Sequence, residues 1–446
     1  HTQGCTLPID EVASRGVIFS NAYVGCPLSQ PSRAALWSGL MPHQTNVRSN
    51  SAEHINPPLP DSIPTLGSLF TANGYEAVHF GKTHDMGSLR GFRHKEPVAK
   101  PFTDPEFPVN NDSFLDVGTC EDAVAYLSNP PQEPFICIAD FQNPHNICGY
   151  VGENKGEHID SPISTPLPLL PENFEVEDWE KLPLPIQYIC CSHRRMMQAA
   201  HWNEDNYRHY VAAFQHYTRI VARQIESVLE ALYSTPAGKN TIVIVLADHG
   251  DGMGSHRMVT KQVSFYEEMT NVPFIIAGPG IHPRQKPVED LLTQPTIDLL
   301  PTLCELAGIP VPSSKPGISL APFLKGEKQK RQHPYAASEW HSEYEVTVSP
   351  GRMIRSPRYK YTHYLEGNGE ELYDMLKDKG ERRNLAHDPK YSKILAEHRA
   401  LLDDYIRRTQ DDYRSLKVEA DKRWRSHAPG YPNHEGPCAR DIINRK

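Results

Sequence analysis

The sequence predicts an α/β fold in which a mainly parallel β-sheet is sandwiched by helices and followed by a smaller α+β unit. Apolar, β-branched runs alternate with amphipathic stretches through the first three quarters of the chain, the pattern of strands buried on both faces. A long run at helical spacing separates two of those strands. Near residues 310–335 the composition changes to VPSSKPG and KGEKQKRQHP, which reads as a linker.

The clearest buried strands are Phe135 to Ala139 (FICIA), Thr241 to Ala247 (TIVIVLA) and Val272 to Ala277 (VPFIIA), each ending at polar or turn residues. From Asp205 to Tyr233, Tyr207, Val211, Phe214, Tyr217, Ile220, Val221, Ile225 and Val228 recur at helical spacing, so this helix lies against the sheet. Residues 152–186 are rich in proline and acidic residues and predict an extended excursion able to shape a cleft. Residues 1–330 form the catalytic-sized unit and 331–446 the smaller one. In the second, Tyr344 to Val348, Met353 to Ile354 and Tyr359 to His363 read as short strands, and Pro389 to Thr409 as a helix. The tail from Asp411 has little periodicity, and there is no internal repeat.

With 446 residues, 38% hydrophobic and 23% charged, the chain can bury a large core. No run reaches the roughly 20 apolar residues of a membrane span, and the first residues carry no basic-then-apolar leader. A formal charge of −9 argues against general nucleic-acid binding, so an anionic substrate must meet a local cluster of cations. The nine cysteines form no CxxC array and leave the redox compartment open.

The strongest local signal is CPLSQPSRAALWSGLMPHQTNV, residues 26–47. A serine stands before a turn, then an arginine and a helical run. Ser29 as a helix cap and Arg33 as a surface cation would be the ordinary reading of an isolated SxPSR. The longer segment resembles the type I sulfatase signature: Ser29, Pro31, Ser32 and Arg33 match its core, and Ser38, Gly39, Pro42 and His43 extend the match. Cys26 is three residues before the matching position and is rejected as the nucleophile.

The resemblance implies an alkaline phosphatase-like fold and hydrolysis of sulfate esters by formylglycine, made after translation from Ser29. One hydroxyl of the hydrated aldehyde attacks sulfur and the other later expels the sulfate, a route closed to plain serine. Arg33, one helical turn on, is implied to stabilise the hydrate. Serine in place of cysteine resembles bacterial enzymes matured by a radical route, so a formylglycine-generating maturase is an expected partner. A mass loss of about two hydrogens at Ser29 is the mark of that processing.

Three further segments extend the resemblance. GYEAVHFGKTHDMG, Gly74 to Gly87, is similar to the family's strand ending in Gly-Lys-x-His; Lys82 and His84, two apart in extended chain, are expected to share a face. The family assigns Lys82 to sulfate and formylglycine oxygens and His84 to the proton transfer that releases sulfate. FICIADFQNPH, Phe135 to His145, is similar to the strand that closes on Pro-His, where His145 contacts sulfate and protonates the departing alcohol. TIVIVLADHGDGMGSHRMVTKQVSFYEEMTNVPFII, residues 241–276, delivers Asp248 and His249 at a strand's C-terminal end, where ligand sites of open α/β sheets lie. The resemblance makes Asp248 and His249, with Ser29, ligands of a divalent cation, expected to be calcium, and gives Lys261 to the sulfate or leaving oxygen. A histidine ligand is less typical of calcium. His256 reads as a loop histidine. The likeness runs from about Thr6 to Ala386, and the order of the motifs carries it.

Family members also have a strand ending in two adjacent aspartates that complete the metal site, and it would precede His1. Asp10 falls at a helix start and does not replace the pair, so the given sequence reads as incomplete at that end, and Asp248 with His249 alone is expected to bind metal weakly. The Pro-rich excursion, the helix begun by HWNEDNYRHY and the aromatic tail with Trp424, His427, Tyr431 and His434 suit a sugar better than a small aryl ester. A sulfated oligosaccharide derived from a glycosaminoglycan is the expected substrate, a uronate 2-O-sulfate the candidate, and a periplasmic or secreted setting follows from the bacterial carbohydrate sulfatases it resembles. Two alternatives stay open: a phosphonate or phosphate diester hydrolase of the same superfamily, separated by comparing sulfate with phosphate esters, and an inactive sulfated-glycan binder, separated by binding without turnover.

Overall fold

The computed structural model describes residues 7–50, 57–101, 113–154, 166–175, 181–187, 194–199, 202–261, 264–329, 331–341 and 349–416. The expected strand at Tyr344 to Val348, the aromatic tail and much of the 152–186 excursion lie outside these residues.

Eight helices and ten strands frame the site. They are α1 (Leu7–Ser14), α2 (Ser29–Ser38), α3 (Leu66–Ala72), α4 (Leu115–Leu127), α5 (Ile147–Glu153), α6 (Glu204–Tyr233), α7 (Pro295–Ala307) and α8 (Ser392–Thr409). The strands are β1 (Gly16–Ile18), β2 (Glu76–Gly81), β3 (Arg93–Lys95), β4 (Phe135–Asp140), β5 (Val243–Leu246), β6 (Phe274–Ala277), β7 (Ala336–Trp340), β8 (Gly351–Arg355), β9 (Tyr359–Tyr364) and β10 (Gly369–Asp374).

The α/β expectation holds, with one change of direction. Strands β3, β2 and β4 pair in parallel in that order. Strands β1 and β5 run the same way as each other, but β6 lies between them and runs opposite to both. A strand's apolar run tells that it is buried, not which way it runs. Ile136, Ile138, Ile244 and Leu246 project toward a core shared with Leu36 and Trp37 of α2 and Leu299 and Leu300 of α7. On the other face, Val78, Phe80, Cys137 and Ala139 meet Ala123 of α4 and Val228 of α6. The long helix starts at a reciprocal cap between Asn203 and Asn206, one residue before the expected start.

Between the edges of β4 and β5 runs a cavity of about 2900 Å³. Its walls are the full lengths of both strands, and at their C-terminal ends it meets Asp140, His145, Asp248 and His249. Thus the strand ends that carry the sequence motifs open into one space.

The segment 310–335 is not a bare tether. Leu320, Ala321 and Leu324 are buried in the main core. The second unit is an antiparallel sheet in the order β10-β9-β8-β7, covered by α8. Strand alternation divides its faces: Ile354, Tyr361 and Leu372 meet Leu395, Leu402 and Tyr405 of α8. Met353, Tyr364 and Tyr373 meet Tyr23, Phe265 and Tyr266 of the larger unit. Strands β7 and β10 were not foreseen, because AASEW and GEELYD lack the apolar run of a buried strand.

Candidate active site

Helix α2 is buried along its whole length, although four of its ten residues, Ser29, Gln30, Ser32 and Arg33, open it with polar side chains. A buried polar helix end needs partners. Leu28, not Ser29, is the cap, so the serine side chain is free of capping and faces outward to His249, with Oγ 2.8 Å from Nε2. His249 Nδ1 lies 2.8 Å from the Gly250 carbonyl and donates to it. The neutral ring therefore carries its proton on Nδ1 and leaves Nε2 as acceptor for the Ser29 hydroxyl. Burial is the main cause that lowers the His249 pKa to about 4, with Lys261 adding to it against Asp248. A hydroxyl against a bare imidazole nitrogen is the arrangement of a nucleophile and its base.

Arg33 is fixed at three points. Its Nη1 and Nη2 donate to the two oxygens of Asp140 at the end of β4, and Nε donates to Asp248 Oδ2 at 2.9 Å. Nη1 also reaches the Lys82 carbonyl at 3.3 Å. Burial alone would raise the Asp248 carboxyl, but His249, Arg33, Lys82 and Lys261 hold it well below the usual carboxylate range. Asp140 sits inside the FICIADFQNPH motif yet is not a residue the motif singles out. Its signal was a carboxylate closing an apolar strand, which needs a buried cation.

Lys82 and His84 both face this cluster, but not by the pleat expected of extended chain. Strand β2 ends at Gly81, whose φ of 103° and close approach to the Asp140 carbonyl exclude a side chain. His84 then takes a left-handed conformation, φ 49°. A turn, not alternation, brings the pair together. Burial, with Arg33 and Lys261, lowers the Lys82 ammonium to about 8 against Asp248 and Asp140. Burial and the same cations push His84 down to about 4.

His145 is carried by a turn that Asp116 of α4 clamps, its two oxygens accepting from the amides of Gln142 and Asn143 at 2.6 and 2.8 Å. Burial, then Lys261, Lys82 and His249, push the His145 pKa down to about 2. Lys261 follows Thr260, whose amide donates to Tyr210 Oη of α6 at 2.7 Å, while that hydroxyl donates to Asp251 at 2.6 Å. Asp116, Asp140, Tyr210 and Asp251 escaped the sequence analysis because their work is to hold other residues. His256 lies apart, stacked on Tyr266 with ring centroids 3.9 Å apart. Cys26 is buried among apolar side chains with its thiol pushed up by burial.

The structure thus gathers Ser29, Arg33, Lys82, His84, His145, Asp248, His249 and Lys261 at one end of the cavity. Three cations stand against two carboxylates, and both carboxylates are already bonded to Arg33. The surplus positive charge favours a tetrahedral anion in a chain whose net charge is negative. Among the described residues, the expected metal donors fall short of a full shell. One carboxylate, one imidazole nitrogen and one hydroxyl do not make the roughly six to eight oxygen ligands of calcium. Among the described residues, a different trio, His43, Glu339 and Asp411, has metal-like spacing. Its lone pairs are taken: Asp411 receives Arg352 on both oxygens, and Glu339 receives His43 and Tyr405.

Comparison with known proteins identifies the family. Residues 5–309 match the family model described as Sulfatase, and residues 254–408 match that of the N-sulphoglucosamine sulphohydrolase C-terminal region. The chain is 80% identical over 445 residues to a Delta 4,5-hexuronate-2-O-sulfatase of Bacteroides thetaiotaomicron, covering 100% of this chain and 92% of that one. It is 27% identical over 417 residues to arylsulfatase K of Xenopus laevis, covering 85% and 74%. A solved 2-O GAG sulfatase superposes with a TM-score of 0.94 at 80% identity, covering 99% and 95%. The phosphonate monoester hydrolase of Agrobacterium radiobacter shares the fold at a TM-score of 0.72 and 20% identity, covering 92% of each chain.

Proposed function

We propose, from the premise that this chain belongs to the sulfatase family, that it removes the 2-O-sulfate from an unsaturated hexuronate of a glycosaminoglycan-derived oligosaccharide. It is an enzyme, a sulfuric ester hydrolase. The observation that carries the substrate is 80% identity along the whole chain to a relative named for that reaction.

Ser29 is the position at which we place formylglycine, made by a maturase acting on the chain. Its side chain fits, being 1% exposed and already facing a hydrogen-bonding partner in His249 with Arg33 one turn away. When present, the modified residue supplies a geminal diol in place of a single hydroxyl. The chain's own residues do the rest. Arg33, Lys82 and Lys261 receive the sulfate oxygens, and their fixed positions cost no reorganisation as charge builds on sulfur's substituents. With Nε2 not engaged by a cation, His249 takes the proton of the attacking hydroxyl there. His84, its pKa held down to about 4 and so neutral, accepts the second proton when sulfate leaves. The departing sugar oxygen takes a proton from Lys261, or from His145 once the bound sulfate anion has drawn a proton onto its ring, which burial and the neighbouring cations otherwise keep neutral; both lie on the cavity wall.

The family implies a divalent cation beside Asp248 and His249. Those donors form only part of a cation's shell, so no step above passes through it. A saccharide substrate is consistent with a periplasmic or secreted setting, testable by fractionation; among the described residues no helix is long and apolar enough to cross a membrane.

The deciding experiment is sulfate release from unsaturated 2-O-sulfated uronate disaccharides by protein whose residue 29 has been checked by mass spectrometry. Release that vanishes in Ser29→Ala supports the reading. Release from 6-O-sulfated hexosamine but not from the uronate would move the substrate, and binding without release would leave only a glycan-binding homologue.

A further inference from the structure

The sheet β3-β2-β4 carries a row of polar residues on a face that is otherwise apolar. Alternation puts His79 of β2 on the same face as Ile136, Ile138 and Asp140 of β4, toward α2 and Arg33. His94 of β3 is the register partner of His79 across the parallel ladder. His79 is fully buried, so both its nitrogens need partners. Its Nδ1 lies 2.9 Å from His94 Nδ1, and its Nε2 lies 3.4 Å from Asp140 Oδ2. At the far end His94 Nε2 is 3.1 Å from the exposed Glu96 carboxylate. The charged or titratable groups that face the two rings are therefore Asp140 with Arg33 behind it on one side and Glu96 on the other, and the Phe92 ring closes the edge.

Counting protons decides the order of the bonds. An ionised carboxylate only accepts, so the bond to Asp140 Oδ2 places a proton on His79 Nε2. The two inner nitrogens in contact share one proton, so with one proton on each ring His94 Nδ1–H donates to His79 Nδ1.

We propose that His79 is a positioning residue for Arg33, acting through Asp140, and that His94 fixes the tautomer in which His79 can do so. Asp140 receives the two terminal nitrogens of Arg33 on separate oxygens, so the plane of its carboxylate sets the plane of the guanidinium. A donor on Oδ2 from the opposite side holds that plane. The inference rests on the reading of Arg33 as a site residue.

The test uses the full chain with residue 29 verified and compares three changes at one position. His79→Gln keeps an N–H near the Nε2 place, His79→Asn puts it near the Nδ1 place, and His79→Leu has none. Leu and Asn are expected to lower kcat by roughly 10- to 100-fold with KM nearly unchanged, while Gln recovers most of the loss. A second measurement is independent of turnover: in protein with ring-15N histidine, His79 reports the Nε2–H tautomer, and His94→Leu converts it to a mixture. Equal kcat in all three variants, or an Nδ1–H tautomer at His79, overturns the proposal. If His79→Leu does not fold, the Gln and Asn contrast and the His94→Leu spectrum decide. A verified wild-type chain that releases no sulfate defeats the functional reading instead, and leaves the tautomer measurement to judge this one.

Discussion

Ser29 and His249 are 220 positions apart, yet their side chains are 2.8 Å apart because both stand at the ends of elements that converge on one cavity mouth. Three predictions belong at this scale. Ser29→Ala removes the nucleophile and the site of modification; sulfate release should fall below about one thousandth of wild type with thermal stability preserved. His145 and Lys261 are separated by leaving group. Whichever delivers the proton loses, when replaced by Asn or Ala respectively, far more rate on a sugar sulfate than on a nitrophenyl sulfate, whose leaving oxygen needs no acid. Equal losses on both substrates would assign that residue to sulfate binding. Asp248 is the carboxylate of the candidate metal set, so Asp248→Asn should weaken calcium binding at least about tenfold by calorimetry. Unchanged binding would remove Asp248 from that set.

At the scale of elements, the tightest constraint is the turn after β2. A side chain at Gly81 would meet the Asp140 carbonyl, and the residue's φ is 103°. Gly81→Ala should therefore move Lys82 and cost roughly 100-fold in kcat/KM, more than it costs in stability. Strand β10 offers a pH test. Burial pushes Glu371 up to about 7, although Tyr373 and Tyr266 donate to it. Between the ordinary range near 4.5 and pH 7 the folded chain keeps a proton that the unfolded chain releases. Stability from this group is therefore highest in acid, falls as pH rises through that window, and levels off above it. Glu371→Gln should raise stability at pH 8 by roughly 1–3 kcal/mol and much less at pH 5, as read by chemical denaturation. The same gain at both pH values would rule out the titration as its cause.

Across the whole molecule, the two units share an apolar core rather than a tether. Trp340, Met353, Tyr364 and Tyr373 of the smaller unit pack on Tyr23, Phe265 and Tyr266 of the larger. Met353→Ala should cost about 2–4 kcal/mol and lower one calorimetric transition without splitting it. Two separated transitions would show that the units unfold independently.

The α/β class and the extent of α6 were legible from the chain because they are written locally: an apolar run marks a buried strand and a helical period marks a covering helix. The candidate residues at the cavity mouth were implied by the resemblance of four ordered segments to the sulfatase family, not by any local pattern. Three things were decided only by the tertiary structure. The direction of β6 depends on which neighbours it pairs with, and burial alone does not encode it. Lys82 and His84 meet the site through a turn set by the close approach of Gly81 to β4, a contact between segments about 60 residues apart. The residues that hold the site, Asp116, Asp140, Tyr210 and the His79–His94 pair, carry no motif of their own, since each acts on a partner distant in sequence, and only the folded chain brings such partners within hydrogen-bond reach.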